Sequence, residues 1–87
     1  MAYEVNWSAK AAKHYRQLDK DGKTRVAALV DRLAANPRPL GAEHVVSMPG
    51  VLRVRNGNYR VLFSVDDEKR QVLVEDVRHR SKAYGDH

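Results

Sequence analysis

The hydrophobic residues of this chain change their spacing at Val51, and that change restricts the fold more than any other feature of the sequence. Before Val51 the clearest apolar stripe, at positions 26, 29, 30 and 33, recurs every three or four residues, which is the period of an amphipathic helix. After Val51 apolar and polar residues alternate, which is the period of a strand. The sequence therefore predicts helices in its first half and a sheet in its second.

Two helices are expected. Ser8 is suited to cap the first, which runs to about Leu18, and Thr24 is suited to cap the second, which ends at Asn36 before two prolines. A brief strand over Ala2–Val5 precedes them. We expect the two helices to form a hairpin whose apolar faces are buried together against the rest of the domain.

The second half predicts three strands. Asn56-Gly57 between alternating runs is a strong signal for a β-hairpin, and a further strand spans Gln71–Val77. The order is β-α-α-β-β-β, which indicates an α+β fold with two N-terminal helices on one face of a mostly antiparallel sheet of about four strands. At 87 residues, the chain is expected to form one domain, 1–87.

Three arginines fall on one side of the predicted hairpin. With Asn56 and Gly57 at the centre of the turn, Arg53 faces Arg60, and Arg55 shares their face because it lies two residues from Arg53. Like charges placed opposite one another destabilise a strand pair, so folding gives no reason for the arrangement, whereas binding of a polyanion does. The alternative is a solvated surface whose arginines pair with nearby acids.

The end of the chain carries a second basic cluster. A last strand antiparallel to the hairpin brings its end near Arg60, and with it a group that titrates near neutrality, fixed cations and a phenol. RNA cleavage needs a proton acceptor for the 2′-hydroxyl, cations for the phosphate and an acid for the leaving oxygen. Alternation along the strand points His79 away from its arginine neighbours. The cluster comprises Arg78, His79, Arg80, Lys82 and Tyr84.

Composition limits the remaining possibilities. The formal charge is +5, and the chain has no cysteine, which excludes disulfides and thiolate chemistry and fits a cytoplasmic protein. The four histidines lack metal-ligand spacing, so neither a metal nor another cofactor is expected. No apolar run is long enough to cross a bilayer, and no signal peptide is evident.

The hairpin and the C-terminal cluster together resemble the RelE/ParE toxin superfamily. The resemblance rests on the segment 52–63, with its basic-x-basic pair, glycine and Tyr-Arg, and on Val77-Arg78-His79-Arg80 followed by Tyr84. With the two helices it covers nearly the whole chain. It implies a RelE-like fold and the toxin of a type II toxin–antitoxin system, neutralised by a cognate acidic, RelB-like antitoxin.

The RelE-like branch implies a ribosome-dependent, metal-independent mRNA endoribonuclease, which cleaves A-site mRNA by attack of the 2′-hydroxyl. By this resemblance Arg60 and Arg80 stabilise the scissile phosphate, and Tyr84 stacks on a base or transfers a proton. His79 is a further catalytic candidate because of its residue type, with its role left open. The RNA-binding candidates are Arg53, Arg55, Arg78 and Lys82.

Two other functions remain open at this stage. The ParE-like branch implies a DNA gyrase inhibitor without nuclease activity. A basic domain of this kind is also compatible with RNA binding without chemistry, which would show steep dependence on salt.

Overall fold

The computed structural model describes residues 2–80 and confirms the α+β fold, with the two helices packed on one face of a mostly antiparallel sheet. The sheet has five strands, because a two-residue strand precedes the hairpin. Neither helix in residues 2–80 is long and apolar enough to cross a membrane. The elements are β1 (Glu4–Trp7), α1 (Ala9–Arg16), α2 (Lys20–Ala35), β2 (Glu43–His44), β3 (Leu52–Asn56), β4 (Tyr59–Asp66) and β5 (Gln71–His79).

The strands lie in the order β1-β5-β4-β3-β2, and only the β1–β5 pair is parallel. The core lies between the sheet and the helices. Alternate residues of β3, β4 and β5 supply the sheet side, and the apolar stripe of α2 supplies the helix side. Its fully buried large apolar side chains are Val26, Leu29, Leu33, Val61, Phe63, Val72, Val74 and Val77.

Of the two predicted helix caps, one is confirmed and one is wrong. Ser8 caps α1, because its hydroxyl accepts the backbone N–H of Ala11 at 3.0 Å. Thr24 does not cap α2, which begins at Lys20 with Asp19 as its cap. The Asp19 carboxylate accepts the N–H of Gly22 at 2.8 Å, so this glycine lies within the first turn of the helix rather than before it.

The hairpin register differs from the predicted one. Gly57 and Asn58 are the central residues of the turn, so Arg55 faces Arg60, and Arg53 faces Leu62. Gly57 has a φ of +64°, whereas Asn58 is outside the positive range; a glycine with positive φ at the first central position is the type II′ arrangement. The predicted turn required positive φ at both central positions. The three arginines still share one face. The strand partners differ from the predicted ones by two residues, and side chains two residues apart point to the same face.

Strand β5 contains an irregularity opposite the middle of β4. Leu62 pairs with Asp76 but Phe63 pairs with Val74, which leaves Glu75 as an extra residue in β5. A bulge of this kind redirects the neighbouring side chains. Here the Asp76 carboxylate meets His14 of α1, with 2.6 Å between the Asp76 Oδ1 and His14 Nδ1 atoms.

Candidate nucleic-acid interface

The arginines of the hairpin lie on the sheet face directed away from the helices. Arg53 and Arg55 flank Val54, which is buried in the core, and Arg60 lies between buried Tyr59 and Val61. Because successive strand residues point to opposite faces, the three arginines share the face opposite the core. We call Arg53, Arg55 and Arg60 the arginine face.

The electrostatics of Arg60 confirm that these groups act on one another. Burial, followed by the charges of Arg53, Arg55 and Arg80, lowers the pKa of Arg60 from its ordinary value. The backbone N–H of Arg80 donates to the carbonyl of Asn58, which fixes the start of the C-terminal segment beside the hairpin turn. Arginine stays protonated through such shifts, so the effect is a concentration of positive charge.

Strand β2 adds a carboxylate that the sequence did not indicate. Glu43 pairs with Arg53 across the β2–β3 ladder, and Arg53 Nη2 donates to Glu43 Oε1 at 3.1 Å. Both side chains are well exposed, so this contact is a surface ion pair of small energy. A two-residue strand has no periodicity to recognise. The signal available was only the position of an acid about ten residues before a basic strand.

A groove of about 520 Å³ runs along this edge of the molecule. Its cationic lining comes from the arginine face and from Arg32 near the end of α2, and Glu43 is its acid. Leu40 and Gly41 of the α2–β2 connection complete one side. A groove that combines several guanidinium groups with one carboxylate is suited to a phosphate-containing ligand and to proton transfer beside it.

The other predicted site residues are placed differently. Arg78 is opposite Arg60 in the β4–β5 ladder, but its Nε donates to Asp76 Oδ2 at 2.8 Å. The His79 ring packs edge-on against Tyr59 with centroids 5.0 Å apart, on the core side of the sheet. Both line a separate groove beside α1. Tyr84 and Lys82 lie outside the described residues. Within residues 2–80, no three acidic or histidine side chains cluster as a metal site would require.

The fold has counterparts among known proteins. The family described as the ParE toxin of type II toxin–antitoxin system, parDE, matches residues 5–84. Because that match spans nearly the whole chain, this protein is a toxin of a type II toxin–antitoxin system. The chain belongs to the RelE/ParE toxin superfamily.

Individual relatives agree with this assignment. The toxin RelE of Mycobacterium tuberculosis is 30% identical over 83 residues, covering 94% of this chain and 86% of that protein. The mRNA interferase toxin RelE of Escherichia coli is 29% identical over 90 residues, covering 99% and 94%. The crystal structure of the toxin–antitoxin complex RelBE2 from M. tuberculosis superimposes with a TM-score of 0.77 at 27% identity, covering 93% of this chain and 94% of the matched one.

Proposed function

We propose that this toxin is an endoribonuclease that cleaves mRNA in the ribosomal A site. The observation that carries the proposal is the arginine face, where Arg60 lies among the charges of Arg53, Arg55 and Arg80. The Escherichia coli relative named as an mRNA interferase supports the same activity. Concentrated guanidinium charge is what a phosphodiester needs when negative charge builds on its oxygens during cleavage.

The reaction follows from these groups. A base takes the proton of the 2′-hydroxyl, the 2′-oxygen attacks phosphorus, and the bond to the 5′-oxygen breaks as that oxygen gains a proton. The products are a 2′,3′-cyclic phosphate and a 5′-hydroxyl. We assign Arg60 and Arg80 to the scissile phosphate, and Arg53 and Arg55 to RNA binding. The charge stabilisation comes from arginine, so the proposed reaction needs no metal.

Glu43 is a candidate proton acceptor, because its carboxylate lines the same groove as the arginine face. An arginine is a poor base because it stays protonated at any working pH, whereas a carboxylate oxygen accepts a proton. The Glu43 carboxylate lies 3.1 Å from Arg53 Nη2 in the groove. We propose Tyr84 as a base-stacking or proton-transferring group, Lys82 and Arg78 as RNA-binding residues, and His79 as a second acid–base group.

A cognate acidic antitoxin is the expected protein partner. The chain carries a net charge of +5, and a protein that neutralises it must cover the arginines. The relative from M. tuberculosis was crystallised as a toxin–antitoxin complex. We propose the same pairing for the present chain. We also propose that the ribosome, with its A-site mRNA, is the target of this toxin.

A ParE-like inhibition of DNA gyrase is the second candidate, because the matching family is described as the ParE toxin. Purified gyrase distinguishes the two functions. Loss of supercoiling with accumulation of broken DNA supports gyrase inhibition, whereas unchanged supercoiling supports the ribonuclease.

The first prediction tests the arginine face with purified ribosomes that hold a defined mRNA in the A site. Primer extension is expected to show cleavage by the wild-type chain and a rate at least about 100-fold lower for Arg60→Ala, because stabilisation of the transition-state charge is lost. Arg16→Ala is the matched control, since Arg16 is an exposed arginine of α1. Equal rates for wild type and Arg60→Ala would remove Arg60 from the mechanism.

A further inference from the structure

A second groove, of about 630 Å³, lies between α1 and the end of β5. The arginine face does not contribute to it. Its titratable lining comes from three elements and the connection between the helices, and comprises Lys10, His14, Asp19, Tyr59, Asp76, Arg78 and His79. We call it the α1–β5 groove. It contains more titratable side chains than a structural seam between a helix and a strand requires.

A buried carboxylate organises this groove. Asp76 is 2% exposed, and its Oδ1 accepts both His14 Nδ1 at 2.6 Å and its neighbouring backbone N–H from Val77 at 2.9 Å. Its Oδ2 accepts Arg78 Nε at 2.8 Å and lies 3.7 Å from the ammonium nitrogen of Lys10. Hydrogen bonds from Arg78 and His14 outweigh the effect of burial, so the pKa of Asp76 lies below its ordinary value. Asp76 is therefore an ionised anchor for three basic side chains.

The three basic side chains differ from their anchor in exposure. The side chains of Lys10, His14 and Arg78 are 58%, 37% and 19% exposed, whereas that of Asp76 is 3% exposed. A carboxylate only accepts hydrogen bonds, so Nδ1 of His14 donates and its Nε2 is on the opposite side of the ring. One buried negative charge thus orients three basic groups at a surface that ligands can reach.

The other acid of the groove is also engaged. Asp19 Oδ1 accepts the hydroxyl of Tyr59 at 2.9 Å and the backbone N–H of Gly22 at 2.8 Å. Both bonds lower the pKa of Asp19, and the bond from Gly22 has the larger effect. Both carboxylates therefore accept hydrogen bonds from groups of the protein itself. Asp76 is buried and Asp19 is exposed, and Lys10 and Arg78 supply the positive charge of the groove.

The α1–β5 groove is adjacent to the arginine face through Arg78. Arg60 and Arg78 are partners on neighbouring strands, and the Cβ atoms of such partners lie roughly 5 Å apart. From there the Arg78 guanidinium turns to Asp76 in the groove. A nucleic-acid strand that binds at Arg60 can therefore bring a neighbouring phosphate within reach of Arg78.

We propose that the α1–β5 groove is a second phosphate subsite, in which Lys10, His14 and Arg78 hold a backbone phosphate of the RNA strand bound at the arginine face. This inference rests on the proposed ribonuclease function, because it takes the ligand to be RNA. Asp76 is a positioning residue that fixes the donors without touching the ligand. The subsite extends the footprint of the toxin beyond the scissile phosphate.

The second prediction measures binding apart from cleavage. A fluorescein-labelled 2′-O-methyl hexanucleotide lacks the 2′-hydroxyl nucleophile, so anisotropy reports affinity alone. Lys10→Gln is expected to weaken binding about 5- to 10-fold and to reduce the salt dependence by about 0.7 in the slope of log K against log salt, the value for one phosphate contact on a single strand. His14→Asn keeps an N–H donor for Asp76 and is expected to weaken binding about 3-fold or more.

Lys13→Gln is the matched control, because Lys13 is an exposed lysine of the same helix that does not line the groove. It removes the same charge and is expected to change affinity less than 2-fold. Equal losses for Lys10→Gln and Lys13→Gln would overturn the subsite and leave the ribonuclease proposal intact. Failure of the wild-type chain to cleave mRNA on the ribosome would instead remove the proposed function.

The nuclear magnetic resonance signals of the His14 ring report whether the ligand binds beside it. This measurement uses the wild-type chain, so it does not depend on the stability of a variant. Its signals are expected to shift on addition of the hexanucleotide and, at higher concentration, of inorganic phosphate. Shifts with a hexaglutamate peptide and none with the hexanucleotide would overturn the proposal in favour of an acidic protein segment. Thermal unfolding of each variant confirms that the compared proteins are folded.

Discussion

A glycine determines how closely α2 approaches the sheet. A Cβ atom at Gly22 would lie 2.6 Å from Cε1 of Tyr59 and 3.0 Å from Oδ1 of Asp19. Tyr59 is 6% exposed, and its hydroxyl donates to that same Asp19 oxygen. The ring is held at both its edge and its hydroxyl, so it has little freedom to move away from an added methyl group.

The third prediction concerns Gly22→Ala. At an ordinary helical position this change stabilises a protein by up to about 1 kcal/mol, but overpacking here is expected to lower the free energy of unfolding by about 1–3 kcal/mol. Urea denaturation measures it. Ala28→Gly at an exposed position of α2 is the control and is expected to cost about 1 kcal/mol, which is the intrinsic preference of the helix. A stabilised Gly22→Ala variant would contradict the close contact.

Single residues were predictable from the sequence where their role is local. The Ser8 cap was predicted because its partner, Ala11, is three residues away. The Asp19 cap was missed because Gly22 resembles a helix break, and its use within the helix depends on Tyr59, 40 residues from Asp19. Glu43 was missed for the same reason, since only the fold brings it to Arg53.

At the scale of elements, Ser8 joins α1 to the sheet as well as capping it. Its hydroxyl accepts the N–H of Ala11 and donates to the carbonyl of Glu75 at 2.9 Å. Glu75 is the extra residue of the β5 bulge. The start of the helix is therefore attached to the point where β5 redirects Asp76 towards His14.

The fourth prediction compares the two hydroxyl residues that the sequence proposed as caps. Ser8→Ala is expected to lower the free energy of unfolding by about 1–2 kcal/mol, because a cap and a bond to β5 are lost. Thr24→Ala is expected to change it by less than about 0.5 kcal/mol, since the exposed Thr24 hydroxyl donates only to the carbonyl of Lys20 in its own helix. Equal losses in calorimetry would mean that α2 does not begin at Lys20.

Helices and strands with a clear hydrophobic periodicity were predictable from the sequence. The pairing of the strands was predictable only in part. The stripe of α2 and the alternation of β3, β4 and β5 follow from burial on one side, which the sequence records directly. The strand β2 is too short to show a period, and the parallel pairing of β1 with β5 joins distant segments. The turn register depended on the backbone angles at Gly57 and Asn58, and a dipeptide signal does not determine them.

At the scale of the whole molecule, three aspartates connect separate elements in a chain of net positive charge. Asp19 joins α2 to β4, and Asp76 joins β5 to α1. Asp67 accepts two bonds from Arg38 and one from the hydroxyl of Tyr3, and these bonds, Arg38 first, lower its pKa. All three carboxylates thus have pKa values below the ordinary one.

The fifth prediction is the pH dependence that these shifts produce. A carboxyl whose pKa is lower in the folded state stabilises fully above its unfolded value of about 4 and loses that contribution as the pH falls through the folded value, because the unfolded chain binds protons first. The free energy of unfolding, from urea titrations between pH 7 and pH 2.5, is therefore expected to decrease below about pH 4. Asp76→Asn is expected to lose about 3 kcal/mol at pH 7, since it removes the buried carboxylate that accepts charge-assisted bonds from His14 and Arg78. It is also expected to show a shallower acid slope. Asp31→Asn changes the net charge equally on the exposed side of α2 and serves as the control. An Asp76→Asn slope as steep as that of the wild type would mean that Asp76 is not one of the groups through which acid destabilises the fold.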